Sequence, residues 1–334
     1  LRYAAASVAQ YCTAFYNQYF RDVPIDKLEL GERILLKRNP DLMTPGGLWS
    51  LLSNPKMMER FAQIEADEGD PALKALAMNA LALRGHEHEP QHRQAALKAL
   101  RIFSAGSRLH GTGVGADITH EELIREGYII FMVGPMAYMN RLGAYYALNV
   151  MAFNDALYSG AGPLIKILDE FTNCPLKPLV EAITTERGYG GENHMIAQSR
   201  SEIERRFGRL ETETIEENAI VKQWFGFSSF AEAERISNAI GEEHVISRSL
   251  STDDATQRLQ QSLQLTKERN LTPAQLMSLP PDMQLVWVKN VGFFLAKKLG
   301  QHQIDPICAD CAPNPIEGGR LEPDPKITLN FRRS

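Results

Sequence analysis

Two adjacent carboxylates, Asp169 and Glu170, close a short apolar run, Leu164-Ile-Lys-Ile-Leu168, and are followed at once by Phe-Thr-Asn173. A run of this length, rich in leucine and β-branched residues, reads as a buried parallel strand that delivers acids to its C-terminal edge, where open α/β sheets bind ligands. A Walker B element is built this way. Its first acid, here Asp169, stands in the outer shell of a nucleotide-bound Mg²⁺, and its second, here Glu170, polarises the attacking water. The same residues also describe a strand running into a solvated turn, so the reading depends on what surrounds them.

Two other clusters invite chemistry. His86, His88 and His92 alternate with Glu87 and Glu89 between Arg84 and Arg93. They lack a framing strand or helix that would aim them at one ion, and the stretch reads as a solvated loop between helices. Cys308-x-x-Cys311, with His302 near it, is half of a zinc site, but no second Cys or His pair follows at finger spacing. No structural zinc is expected. Gly111-Thr-Gly-Val-Gly115 resembles a phosphate loop only in its glycines: it follows helix rather than strand and has no Lys-Ser/Thr after it. It reads as a hinge.

The elements around these residues fall into two groups. From residue 2 to 20, Tyr3, Ala6, Val8, Tyr11, Phe15 and Tyr19 recur at helical spacing. Pro24, Asn39-Pro40 and Pro45-Gly-Gly47 punctuate the chain, and helices follow at about 48–68, 71–84 and 91–105, with Asp70 and Pro71 as cap and first residue of one of them. Residues 1–115 therefore read as an all-α domain.

From 116 to 334 the periodicity changes. Helix 119–126, an apolar run Tyr128–Val133, helix 136–158, strand 164–168, helix 175–187, strand 193–198, helices 200–207 and 211–218, strand 220–226 and helix 229–240 alternate as in a mainly parallel sheet with helices on both faces. Residues 248–270 are rich in Ser, Gln and Thr and read as a mobile loop with one short helix. Helix 273–279 stops at Pro280-Pro281, and Gln284–Lys289 and Gly292–Lys298 read as a hairpin.

Composition narrows the class. The chain has 334 residues, 44% hydrophobic and 23% charged, values of an ordinary globular protein with room for two domains. No uncharged apolar run approaches the roughly eighteen residues a membrane span requires. The net charge of −5 argues against a module that coats duplex DNA, although residues 1–115 carry 14 Lys/Arg against 12 Asp/Glu and the remainder 22 against 29. Four scattered cysteines suit a reducing compartment. The first residue is Leu1 and no signal peptide follows, so the chain is expected to begin inside a longer protein.

With these elements in place, residues 116–334 resemble the nucleotide-binding domain of the TraG/TraD-type coupling ATPases of type IV secretion and conjugation. The likeness rests on five blocks in order: ILDEFTN ending at Asn173, TERGYG ending at Gly190, MIAQSRSEIERRFG from Met195 to Gly208, TIEENAIVKQWFGFSSFAEAERISNAIGEE from Thr214 to Glu243, and LTPAQLMSLPPDMQLVWVK from Leu271 to Lys289. The resemblance implies a RecA-like P-loop NTPase core beside an all-α domain, ATP and Mg²⁺ as ligands, and a membrane-anchored hexameric ring. Its partners would be the secretion channel at the inner membrane and a cargo of single-stranded DNA with its relaxase or of protein effectors.

Motif by motif, Asp169 and Glu170 match the Walker B pair. Gln198 matches a polar residue that senses the γ-phosphate at the end of the next strand, and Arg187 resembles an arginine that reaches the neighbouring subunit's nucleotide. An amide can both orient water and contact phosphate, and a guanidinium can stabilise charge on the transferring phosphoryl group. Alternative uses are a strand-end backbone contact for Gln198 and an ion pair with Glu181 or Glu186 for Arg187. One part of the family pattern is missing: the sequence contains no G-x-x-x-x-G-K-[ST]. In the family that loop lies upstream of the all-α domain, with the membrane anchor. The alternative from another class is a non-hydrolytic adaptor whose sheet displays the helical domain to cargo.

Overall fold

The computed structural model describes residues 18–115, 117–135, 138–173, 177–252, 259–312, 319 and 322–329. The helix expected over 2–20 lies outside them except for its last three residues. The chain forms two compact units, Leu1–Asn218 and Ala219–Ser334.

The first unit opens with helices α1 (Gln18–Arg38), α2 (Pro45–Ser53), α3 (Pro55–Glu68), α4 (Pro71–Ala82) and α5 (Glu89–Ala99). Three of them start on proline, whose missing N–H costs nothing in a first turn, behind caps that accept from the free backbone amides. Thr44 Oγ1 accepts from Gly47 N, Asn54 Oδ1 from Met57 N and Asp70 Oδ1 from Ala72 N and Leu73 N, each at 3.1 Å. Pro24, read above as punctuation, instead lies inside α1. The helix is held by burial of Leu28, Leu30, Ile34 and Leu35 against Leu48, Leu51, Leu73, Leu100 and Phe103. Glu65 of α3 is fully buried and paired to Lys37 at 2.7 Å and to Arg38 at the end of α1. Close packing also fixes the start of α2: a Cβ on Gly46 would stand 1.9 Å from the carbonyl oxygen of His110.

Helices α6 (His120–Arg125) and α7 (Met139–Tyr158) follow, then β1 (Leu164–Leu168), α8 (Lys177–Thr185), a 3₁₀ turn (Glu186–Tyr189), β2 (Gly191–Met195), α9 (Arg200–Phe207) and α10 (Arg209–Asn218). β1 and β2 pair in parallel, Leu164 opposite Gly191 through Leu168 opposite Met195. Helices cover one face of this pair: Ala147 and Val150 of α7 and Leu179 of α8 pack with Leu168 and Met195. The other face is open, with Ile165 63% and Ile167 71% exposed. Tyr128–Val133, the apolar run, is exposed as well and enters no strand.

The second unit holds β3 (Val221–Trp224), α11 (Phe230–Ile240), β4 (Glu242–Thr252), β5 (Leu259–Arg269), α12 (Pro273–Met277), β6 (Met283–Val288), β7 (Gly292–Lys297) and the short β8 (Ile304–Asp305) and β9 (Ile327–Thr328). The hairpin of β6 and β7 forms as read, its turn placing Asn290 at φ 66°. β3 joins it antiparallel to β6, and Ala233, Ile236, Leu276 and Leu285 form the core beneath. The expected mobile loop over 248–270 is instead a long antiparallel ribbon, β4 against β5, with residues 253–258 outside the description. Leu259, Leu263 and Leu265 stand at even spacing there, a period-two signal that the Ser/Gln/Thr composition conceals. Cys308 and Cys311 are buried free thiols, Cys311 Sγ lying 3.7 Å from the Ile307 carbonyl oxygen. Among the described residues no group of three metal-ligating side chains is placed to hold an ion.

Candidate functional site

β1 ends where its apolar residues end. Asp169 is exposed, and among the described residues its carboxylate has no hydrogen-bond partner. Asp169 follows Ile165 and Ile167 at alternate positions, which places it on the open face of the strand. At Glu170 the backbone turns into the left-handed region, φ 47°, a conformation that an L side chain adopts only against strain. Two anchors that follow it hold the turn. Phe171, buried against Val180 and Phe207, donates its N–H to Ile196 O at 3.2 Å, and Asn173 N–H donates to Glu170 O at 2.9 Å.

This turn brings the Glu170 carboxylate to Gln198. Gln198 Nε2 donates to Glu170 Oε1 at 3.1 Å, and Asn173 Nδ2 donates to Oε2 at 2.9 Å. Both oxygens are thus oriented by neutral amides, each with a further lone pair for a water. Gln198 lies three residues past the end of β2, not at its last residue, and one residue before the cap of α9, where Ser199 Oγ accepts from Glu202 N at 3.2 Å. Asn173 is a member of the site that the sequence reading passed over. Its signal was the spacing: a residue three beyond Glu170 meets it across a single 3₁₀ turn.

Arg187 lies in the 3₁₀ turn after α8, exposed, and among the described residues its guanidinium has no hydrogen bond or ion pair. The alternative pairing with Glu186 does not form, because Glu186 turns inward and is fully buried against Lys166. The structure therefore joins Glu170, Gln198 and Asn173 directly, sets Asp169 beside them, and leaves Arg187 on the surface.

The donor set fits one part of a metal nucleotide. An exposed carboxylate at a strand end suits Mg²⁺, which keeps several waters and takes one or two carboxylates along with substrate phosphates. The residues for the phosphates do not fit: a cradle of backbone amides with a lysine requires the P-loop, which this sequence does not contain.

A parallel strand pair with two acids at the C-terminal end of one strand, in the same unit as a helical core, is a RecA-like arrangement with an all-α domain, and solved structures of that fold match this chain. The bacterial conjugative coupling protein TrwBΔN70 in its unbound form matches with a TM-score of 0.67 and 16% identity, over 90% of this chain and 68% of that one. TrwB with the non-hydrolysable GTP analogue GDPNP matches at 0.65 and 16%, over 89% and 68%, and TrwB with ADP and Mg²⁺ at 0.62 and 15%, over the same shares. Residues 163–281 match the family described as the TraM recognition site of TraD and TraG. Over residues 163–281 the chain is therefore similar to TraD and TraG. No curated protein sequence matches it.

Proposed function

We propose that residues 1–115 are the all-α domain and 116–334 the acid-bearing part of the RecA-like domain of a conjugative coupling ATPase, working as a hexameric ring that recruits DNA with its relaxase, or protein, and feeds it to a type IV secretion channel. The observation that carries the reading is the Glu170 carboxylate held by the Gln198 amide at the ends of two parallel strands. That contact joins a water-polarising acid to a residue able to sense phosphate. TrwB, of the same fold, is known with nucleotide analogues and with ADP and Mg²⁺. The open Ile165/Ile167 face supports the view that a further layer of the domain, including the P-loop, comes from elsewhere in the full-length protein, as does its membrane anchor.

In this reading Mg²⁺-ATP, its phosphates held by a P-loop outside this sequence, would supply the phosphoryl group. Glu170 would accept the proton of the attacking water, Gln198 would orient that water, and Asp169 would help to hold the metal. Arg187, without a hydrogen bond or ion pair among the described residues, acts on the neighbour's nucleotide and makes hydrolysis conditional on ring formation.

Glu170→Gln in the full-length protein tests this. ATP binding should stay within twofold of the parent while hydrolysis falls by more than about a hundredfold, the scale on which positioned proton acceptors act. Equal loss of binding and hydrolysis would make Glu170 structural. A parent that neither binds nor hydrolyses ATP would leave the adaptor reading in its place.

A further inference from the structure

Directly preceding the exposed Arg187 in sequence is one half of a buried charge pair. Lys166, the middle residue of β1, is 8% exposed and Glu186 is wholly buried. Lys166 Nζ donates to Glu186 Oε1 at 2.7 Å and Oε2 at 2.8 Å, and to Asn154 Oδ1 of α7 at 2.6 Å. Asn193 Nδ2 of β2 donates to Glu186 Oε2 at 2.8 Å. One carboxylate thus ties the 3₁₀ turn to both strands and, through the lysine, to α7. The turn has little slack: a Cβ on Gly191 would come within 2.8 Å of both Glu186 Cβ and Leu157 Cδ2.

As a source of stability the arrangement is poor. Burial lowers the Lys166 pKa, with Glu186 opposing. Asn154 Nδ2 and Asn193 Oδ1 are buried without hydrogen-bond partners among the described residues. A buried ion pair seldom outperforms a well-packed apolar pair of the same volume. It does fix geometry, because a carboxylate accepting from two side-chain donors on two strands, one of them also held by Asn154 of α7, has one seat. Lys166 stands three residues before Asp169, and Glu186 one before Arg187, so the pair links the strand that carries the acids to the turn that carries the arginine.

We propose that Lys166 and Glu186 are positioning residues that set where Arg187 is presented to the neighbouring subunit, and that they carry any movement of the acid-bearing strand β1 into that arginine. The inference rests on the proposed action of Arg187 across the ring and adds a physical link between a subunit's own acids and the arginine it lends.

The test replaces the pair by apolar residues, Lys166→Met with Glu186→Leu, in the full-length protein. The double variant should unfold at the parent's temperature or above, bind ATP as the parent does and form rings. Its kcat should fall at least tenfold with KM for ATP unchanged. Mixed with Glu170→Gln subunits it should regain activity, since those subunits lend an intact arginine to sites whose Glu170 is intact. Arg187→Ala mixed with Glu170→Gln is the parallel arm. A double variant with full kcat overturns the proposal. Recovery in the Arg187→Ala mixture but not in the double-variant mixture overturns the positioning role alone, and no recovery in either overturns the action of Arg187 across the ring and the positioning role with it. Should the double variant fail to fold, Asn193→Ala loosens the same seat more gently. A severalfold loss of kcat, recovered in the same mixture, is then expected, and full activity from a folded Asn193→Ala protein refutes the proposal.

Discussion

Replacing Glu170 by glycine and, separately, by alanine distinguishes a strained site from an ordinary strand end. At φ 47° a residue with a Cβ gives up roughly 1 to 2 kcal/mol, whereas glycine adopts the conformation freely. Against this, glycine loses about 0.5 to 1 kcal/mol more backbone entropy on folding than alanine. Both substitutions discard the exposed hydrogen bond to Gln198 and the half-buried one to Asn173, at most about 1 kcal/mol each, so that loss cancels in the comparison. Glu170→Gly should therefore be the more stable of the two by about 0.5 to 1 kcal/mol, the reverse of the usual order. Urea unfolding of the 334-residue chain reads this as a midpoint difference of roughly 0.3 M for a slope near 3 kcal/mol/M. Relief of strain, less the entropy cost of glycine, offsets part of the lost hydrogen bonding, so the glycine variant should lie about 1 to 1.5 kcal/mol below the parent. In the full-length protein neither variant should hydrolyse ATP. An alanine variant as stable as the glycine variant, or more so, would mean that the backbone at Glu170 is not held in the left-handed region, and the account of how its carboxylate reaches Gln198 would fail.

Two further outcomes can be measured separately. Asn173→Ala removes one of the two amides that orient Glu170, worth about 1 kcal/mol. In the full-length protein kcat should drop roughly fivefold with KM for ATP unchanged, and an unchanged kcat would make Asn173 a turn residue only. Glu32, buried in α1 with Oε2 unpartnered among the described residues, has its pKa raised by burial from 4.5 to about 7, with Glu29 adding to the rise and Arg33 opposing it. The folded state keeps a proton that the unfolded chain has released, so stability is full below pH 4.5 and declines until the pH passes about 7. Glu32→Gln should accordingly gain roughly 3 kcal/mol over the parent at pH 8 and under about 1 kcal/mol at pH 5. A pH-independent difference would show that Glu32 is ionised throughout.

The sequence alone determined what local periodicity and chemistry encode. Leu164–Leu168 is an apolar run broken only by Lys166 and stops at two acids, so a strand ending in carboxylates was readable without any contact information. Asp70-Pro71 marks the start of its helix and the hairpin around Asn290 declares its own turn, whereas the break at Asn54-Pro55, inside the helix expected over 48–68, went unread. The missing G-x-x-x-x-G-K-[ST] was equally plain. These features depend on residues a few positions apart, and the family match over 163–281 overlaps the blocks from which the resemblance was drawn.

Tertiary structure decided whatever required distant residues to meet. Pro24 reads as a break, yet burial of Leu28 through Leu35 keeps α1 continuous across it. The polar 242–269 stretch pairs with itself because ladder hydrogen bonds depend on backbone groups and register, which composition does not report. Gln198 meets Glu170 twenty-eight residues away only because Glu170 takes a left-handed turn that no propensity favours. Lys166, an anomaly in an apolar strand, finds Glu186 only after α8 and the 3₁₀ turn fold back over β1, and the ion pair that results leaves Arg187 facing out. Charge burial and strain are differences between a folded state and an extended chain, so their cost and their use become visible only when the partner elements are in place.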